Sequence, residues 1–225
     1  MRIMDKRTLF VFLIALGIVT LPSLAWANRC EPQDARRIKV DVTQDMGRVV
    51  LNHSKSQAQL KRMSGQKMSK AWRVNGLTKR TYTTRSNARF VMKPARNGRY
   101  YCVRLQTVDL TVGLGRIDVY VTKKYRKNTC AYRAVLRHEQ EHVDINRRVL
   151  RRVMGRIEDQ VRTAVYRFKP FSARTKADAK QKLSNYFKDS LSPLYKKLDQ
   201  EANKENARID TEQSYKLLSK QCDKW

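Results

Sequence analysis

The sequence predicts an α+β fold. A small antiparallel β-sheet fills the N-terminal half and packs against one long helix and a C-terminal helical segment. Two observations predict it. Apolar residues alternate with polar ones up to about residue 125, the signature of half-buried strands. From Cys130 onward the apolar spacing changes to the helical period and stays there.

The first residues carry Arg2, Lys6 and Arg7, then the apolar run Leu9 to Leu16, and close on Ala25-Trp26-Ala27. A basic start, a short apolar run and a small-x-small site together read as a secretory signal, with cleavage expected after Ala27. Residues 28–225 would then form one domain, mainly β over 28–125 and mainly α over 130–222. The expected location is the periplasm or the exterior. All four cysteines (Cys30, Cys102, Cys130, Cys222) lie beyond the cleavage site. An even count in an exported chain predicts two disulfides, with three connectivities open. The spacings contain no C-x-x-C, which argues against a cysteine metal site.

The formal charge is +29, from 49 Lys+Arg against 20 Asp+Glu. In an exported chain this points to anionic envelope polymers or lipid headgroups as partners. No helix-turn-helix or aromatic-interleaved module supports a specific nucleic-acid partner.

Arg37 to Val42 alternates like a strand, and Arg48 to Leu51 reads as a second. A short helix is expected at Gln57 to Met63. Arg89 to Met92 reads as a strand, and Asn97-Gly98 is a turn signal. Tyr100 to Val112 follows as the next strand, Gly113-Leu114-Gly115 punctuates it, and Ile117 to Val121 makes another. The long helix is expected over Ala131 to Phe168. Pro170 ends it, Thr175 to Asp178 resembles a capping box for a second helix to about Leu191, and Ser192-Pro193 predicts a third to about 220.

The long helix carries His138-Glu139-Gln140-Glu141-His142, an H-E-x-x-H motif. Residues four apart lie about 40° apart around a helix axis, so both imidazoles can grip one ion. Glu139 then sits where a general base for a zinc-activated water is needed. With His138 at 0°, Val135, His142, Val149 and Val153 fall between about 20° and 60°, and Glu139, Asn146 and Ile157 near 80–100°. The motif is therefore on the inward stripe, and the architecture expected is zincin-like, with Zn²⁺ as cofactor.

A third protein ligand is not evident from spacing. Ile145 and Arg148 stand where a metzincin would have Gly and His. His53 could in principle reach the site, but a lone histidine beside a strand end is more often an exposed or satisfied imidazole. If the C-terminal segment folds back about residues 171–172, Glu205 is the carboxylate at the depth of His138 and on the inward stripe. Glu205 is thus the expected third ligand, with Glu212, Glu158, Glu201 and Asp210 as alternatives. The same fold-back would bring Cys222 toward Cys130.

The stretch from Tyr101-Cys102 through Cys130-Ala131-Tyr132 to His138–Ile145 resembles the bacterial domain-of-unknown-function 922 family, described as predicted secreted zinc-dependent proteases. Ile209-Asp210-Thr211-Glu212 loosely resembles that family's Tyr-Asp-x-Glu segment. Where some members continue Thr-x-His-Gly, this chain has Gln213 to Lys216. The function expected is that of an exported zinc metallopeptidase, a hydrolase acting on a peptide or protein substrate. The alternatives are a non-catalytic basic envelope protein with a structural or vestigial metal site, and an amidase using the same chemistry on cell-wall peptide.

Overall fold

The computed structural model describes residues 30–65, 73–95 and 98–225. The expected signal segment and Asn97 lie outside the described residues. Strand β1 is Lys39–Asn52, helix α1 Gln57–Ser64, β2 Gly76–Pro94 and β3 Tyr101–Val121. Helix α2 (Cys130–Arg167), strand β4 (Phe171–Ala173), helix α3 (Lys176–Asn206) and helix α4 (Glu212–Ser219) follow.

The architecture is α+β, as expected, but the sheet is mixed rather than antiparallel. Its order is β1-β3-β2, with β4 against β3. β2 and β3 form an antiparallel hairpin, whereas β1 runs parallel to β3. A parallel neighbour needs a connection that returns the chain to its starting end. Here α1 and β2 together make that return.

Among the described residues three long strands stand where three to five were expected, because glycine bends this sheet rather than ending it. Gly113 has φ +137°, and a Cβ there would run into the Asp45 carbonyl oxygen. The chain continues through it to Val121, with a register shift opposite Thr81/Tyr82.

One face of β3 supplies the core: Val103, Leu105, Val108, Leu110, Val112, Leu114, Ile117 and Val119. Against it pack the apolar stripes of α2 (Val149, Val153, Ile157, Val161) and α3 (Ala179, Leu183, Phe187, Leu191). The other face alternates polar residues such as Lys39, Asp109, Arg116 and Arg89.

Thr129 caps α2 by accepting from the Tyr132 N–H, and Thr175 caps α3 by accepting from the Asp178 N–H; the reciprocal half of the expected capping box is replaced by the Asp178 carboxylate accepting from the Arg174 N–H at 3.0 Å. The break expected at Pro193 does not occur. Proline inside a helix costs about 3 kcal/mol, yet Leu191, Leu198 and Ala202 keep one buried stripe across it. The helix breaks instead after Asn206 and restarts at Glu212 behind the Thr211 cap. Disulfides join Cys30 to Cys102 and Cys130 to Cys222. Two disulfides fit a protein exported to an oxidising compartment. No helix among the described residues is long and apolar enough to cross a membrane.

Candidate metal centre

Helix α2 carries the motif with Glu139 and His142 on its inward side. Glu139 is 4% exposed and His142 8%. The ligand atoms of His138, Glu139 and His142 all lie within 4.8 Å of one another, so this group could hold a metal ion. The Thr78 hydroxyl, on β2, donates to the Glu139 carboxylate at 2.8 Å. Gly76 makes room beside it. A Cβ at that position would collide with the Glu139 carboxylate. The start of β2 thus forms a close wall against the acid, one that any side chain at 76 would push aside.

The expectation for Glu205 is corrected here. Its carboxylate faces Arg152 at 2.5 Å and Arg148 at 3.9 Å, more than two turns along α2 from His138. Residues 168–175 go into β4 and the α3 cap instead of a tight turn, which shifts the whole fold-back register. Among the alternatives, Glu201 pairs with Arg156 at 3.0 Å and exposed Glu212 with Lys216 at 2.8 Å. Glu158 lies sixteen residues beyond His142, about 24 Å along the helix.

Asp210 is the carboxylate that meets the motif. A single oxygen, Oδ1, lies 3.1 Å from His138 Nε2 and 3.2 Å from His142 Nε2. A continuous helix would have turned Asp210 away. The turn between α3 and α4 swings it inward, with its N–H bonded to Asn206 O at 3.2 Å. Tyr215 on α4 donates its hydroxyl to the same Oδ1 at 2.7 Å and sets its ring 5.3 Å from that of His138. His142 Nδ1 lies 2.8 Å from Asn206 Oδ1. His53 lies elsewhere, bonded through Nε2 to the Tyr125 carbonyl at 2.7 Å.

The electrostatics follow from burial and these contacts. Burial opposes charge on His142, but Asp210 at hydrogen-bond distance, with Glu139 and Asn206, overrides it and pushes the imidazole up to about 9. Burial would also raise Asp210, yet both histidines and the Tyr215 hydroxyl hold it well below the usual carboxylate range. Burial dominates at Glu139 and raises it, opposed by His142 and Thr78. Tyr215 is raised by burial and by the Asp210 charge. Without a metal, the Asp210 carboxylate favours the protonated, imidazolium form of His142. A metal entering the site must displace that proton.

The donor set fits a metal of tetrahedral preference. For bonds of 2.0–2.1 Å, the edges of a tetrahedron are about 3.3 Å. The two Nε2-to-Oδ1 separations, 3.1 and 3.2 Å, are close to that length. The group opens onto a cleft of about 680 Å³ walled by the start of β2, by α2, and by the end of α3 with α4.

No family model, curated protein or solved structure matches this chain.

The residues missed in sequence are Thr78, Gly76, Asn206 and Tyr215, which lie far from the motif in the chain. Asn146 gave a signal: it is a polar side chain on an otherwise apolar stripe.

Proposed function

We propose that this chain is an exported zinc-dependent metallopeptidase in which His138, His142 and Asp210 hold the metal and Glu139 is the general base. The observation that carries this reading is the convergence of two imidazole Nε2 atoms on one Asp210 oxygen, with a buried carboxylate one residue along the same helix. The sequence resemblance to predicted secreted zinc-dependent proteases points to the same class.

A zinc ion held by these residues would lower the pKa of a bound water to near 7 and polarise a carbonyl. Glu139 would take the proton from the attacking water and deliver it to the leaving amine. Burial serves this role, because it raises the basicity of the carboxylate above that of an exposed one. Thr78 holds the carboxylate against β2. Asp210 would neutralise part of the charge of a bound metal, and its hydrogen bond from Tyr215 orients the carboxylate. The net charge of +29 favours acidic proteins as substrates over basic ones, through long-range attraction.

Replacing Glu139 by Gln tests the assignment. The variant should still bind one zinc, while hydrolysis of a denatured protein substrate falls by about 10²–10⁴. Unchanged turnover would overturn the role of Glu139. One equivalent of zinc with no hydrolysis by the wild-type protein would favour the alternative, a basic envelope protein with a structural metal.

A further inference from the structure

A chain of two amides, Asn146 buried and Asn206 half-buried, joins α2 to the end of α3 behind His142, and both its ends are backbone carbonyls. Asn206 Nδ2 donates to Ala202 O at 2.7 Å, and Asn146 Nδ2 donates to His142 O at 2.8 Å. A carbonyl oxygen can only accept, so the orientation of each carboxamide is fixed. Between them, Asn206 Nδ2 also faces Asn146 Oδ1 at 3.3 Å. What remains is Asn206 Oδ1, an acceptor, 2.8 Å from His142 Nδ1. The proton in that contact must therefore come from the imidazole.

From this geometry we infer that Asn206 is a positioning residue that locks the proton of His142 on Nδ1 and so leaves Nε2 as its metal-facing nitrogen. The inference rests on the metal-site reading proposed above. Reversing the Asn206 amide shows why the lock is strong. Its oxygen would then face the Ala202 carbonyl at 2.7 Å, two acceptors in contact, and its NH₂ would face Nδ1. A neutral ring would then carry its proton on Nε2 and offer the metal no lone pair. Asn146 is what closes the alternative. It is 3% exposed, sits one helical turn after His142 and has no apolar reason to be there. An amide also suits this place better than a carboxylate. Asp210 and Glu139 already bring two acidic groups to an enclosed pocket, and a third negative charge beside His142 would add to a desolvation cost that burial already imposes.

Ring ¹⁵N NMR of His142 and zinc titration against a competing chelator test the proposal on the full chain. In the metal-free protein, held at a pH where the ring is neutral, His142 should carry its proton on Nδ1. Asn206→Leu should abolish that preference and weaken zinc binding by about 10–100-fold, the usual cost of losing an outer partner of a ligating histidine. Asn206→Asp keeps the acceptor and should keep the ring proton on Nδ1, at a cost in stability because its second oxygen would face the Ala202 carbonyl. Zinc affinity and ring protonation in Asn206→Leu that match wild type, whatever its melting temperature, would reduce Asn206 to a packing role and overturn the proposal. A wild-type ring protonated on Nε2 would overturn it as well, and that measurement needs no metal. A wild-type protein that takes up no zinc, with Nδ1 protonated as expected, would instead count against the metal-site reading alone.

Discussion

The two halves of the candidate site are supported in opposite ways. His138, Glu139 and His142 stand on α2, whose buried side chains run from Ala131 to Val165 and lock it to the sheet and to α3. Asp210 and Tyr215 belong to the C-terminal segment after Asn206, where α4 buries no residue. That segment is held by α3 at one end and near the other by the Cys130–Cys222 disulfide, with Arg137 donating to Gln221 at 2.9 Å and Trp225 packing edge-on to Tyr125. One half of the site is thus kept in place by hydrophobic burial and the other by a covalent staple. Since local stability follows local burial, the carboxylate half is the one that can be lost while the rest of the fold survives.

The largest expected effect comes from cutting that staple. The disulfides close similar stretches of chain, with separations of 72 and 92 residues. Loop-closure entropy therefore gives them nearly equal contributions, about 4–5 kcal/mol each in that model. Their effects on the metal should differ sharply. Replacing Cys130 and Cys222 by Ser frees the segment carrying Asp210, and zinc binding should weaken by roughly 10²–10³-fold, as in Asp210→Ala. That range takes one ligand's share of the 10–16 kcal/mol typical of structural zinc. Replacing Cys30 and Cys102 should lower the melting temperature and leave zinc affinity within about threefold, below half the free energy of a tenfold change. Equal losses of zinc affinity in both double variants would erase the contrast between the halves.

Proton linkage gives the next effect. Without metal, the contact between His142 and Asp210 joins the two halves electrostatically. The His142 pKa is raised from 6.5 to about 9, so its contribution to stability is complete below 6.5 and is lost as pH rises through 9. The Asp210 pKa is lowered from 3.8, so the same contact is also lost as pH falls below that value. The metal reverses the upper limb. It must displace a proton from His142, so apparent zinc affinity should rise up to about tenfold per pH unit between 6.5 and 9. Calorimetric melts with and without zinc across that range check the sign. A zinc-induced stabilisation that does not vary with pH would mean that zinc displaces no proton from His142 in this range, against the imidazolium–carboxylate contact between the halves.

The same division marks what could be read from sequence. The α2 half was legible, because a 3.6-residue period places His138, Glu139 and His142 on an inward stripe without reference to any other element. The sheet was legible as strands, but its mixed pairing was not: alternation reports which face is buried and says nothing of the neighbour's direction. Gly113 and Gly115 read as stops and proved to be bends. Pro193 read as a break and was overridden by the buried stripe through Leu191 and Leu198. These errors converge on the third ligand. Helical geometry continued from a turn near 171 points to Glu205, whereas Asp210 lies beyond the end of α3 at Asn206. Its place depends on a turn, a cap at Thr211 and a disulfide, none of which has a period.

The smallest effect separates a strap from a working part. Tyr215 donates 2.7 Å to the Asp210 oxygen that faces both histidines. A hydrogen bond to a charged group is worth about 1.5–3 kcal/mol when nothing competes for the acceptor. Zinc competes here, because it would draw on the same oxygen. Tyr215→Phe keeps the ring that lies against His138 and removes only the hydroxyl. Zinc affinity should therefore fall by about three- to tenfold, roughly 0.7–1.4 kcal/mol, well short of the loss on cutting the disulfide. A loss as large as that of Asp210→Ala would make the hydroxyl part of the metal's grip rather than a support for it. No loss at all would mean that the backbone turn alone aims Asp210, leaving α4 as the tether between that turn and Cys222.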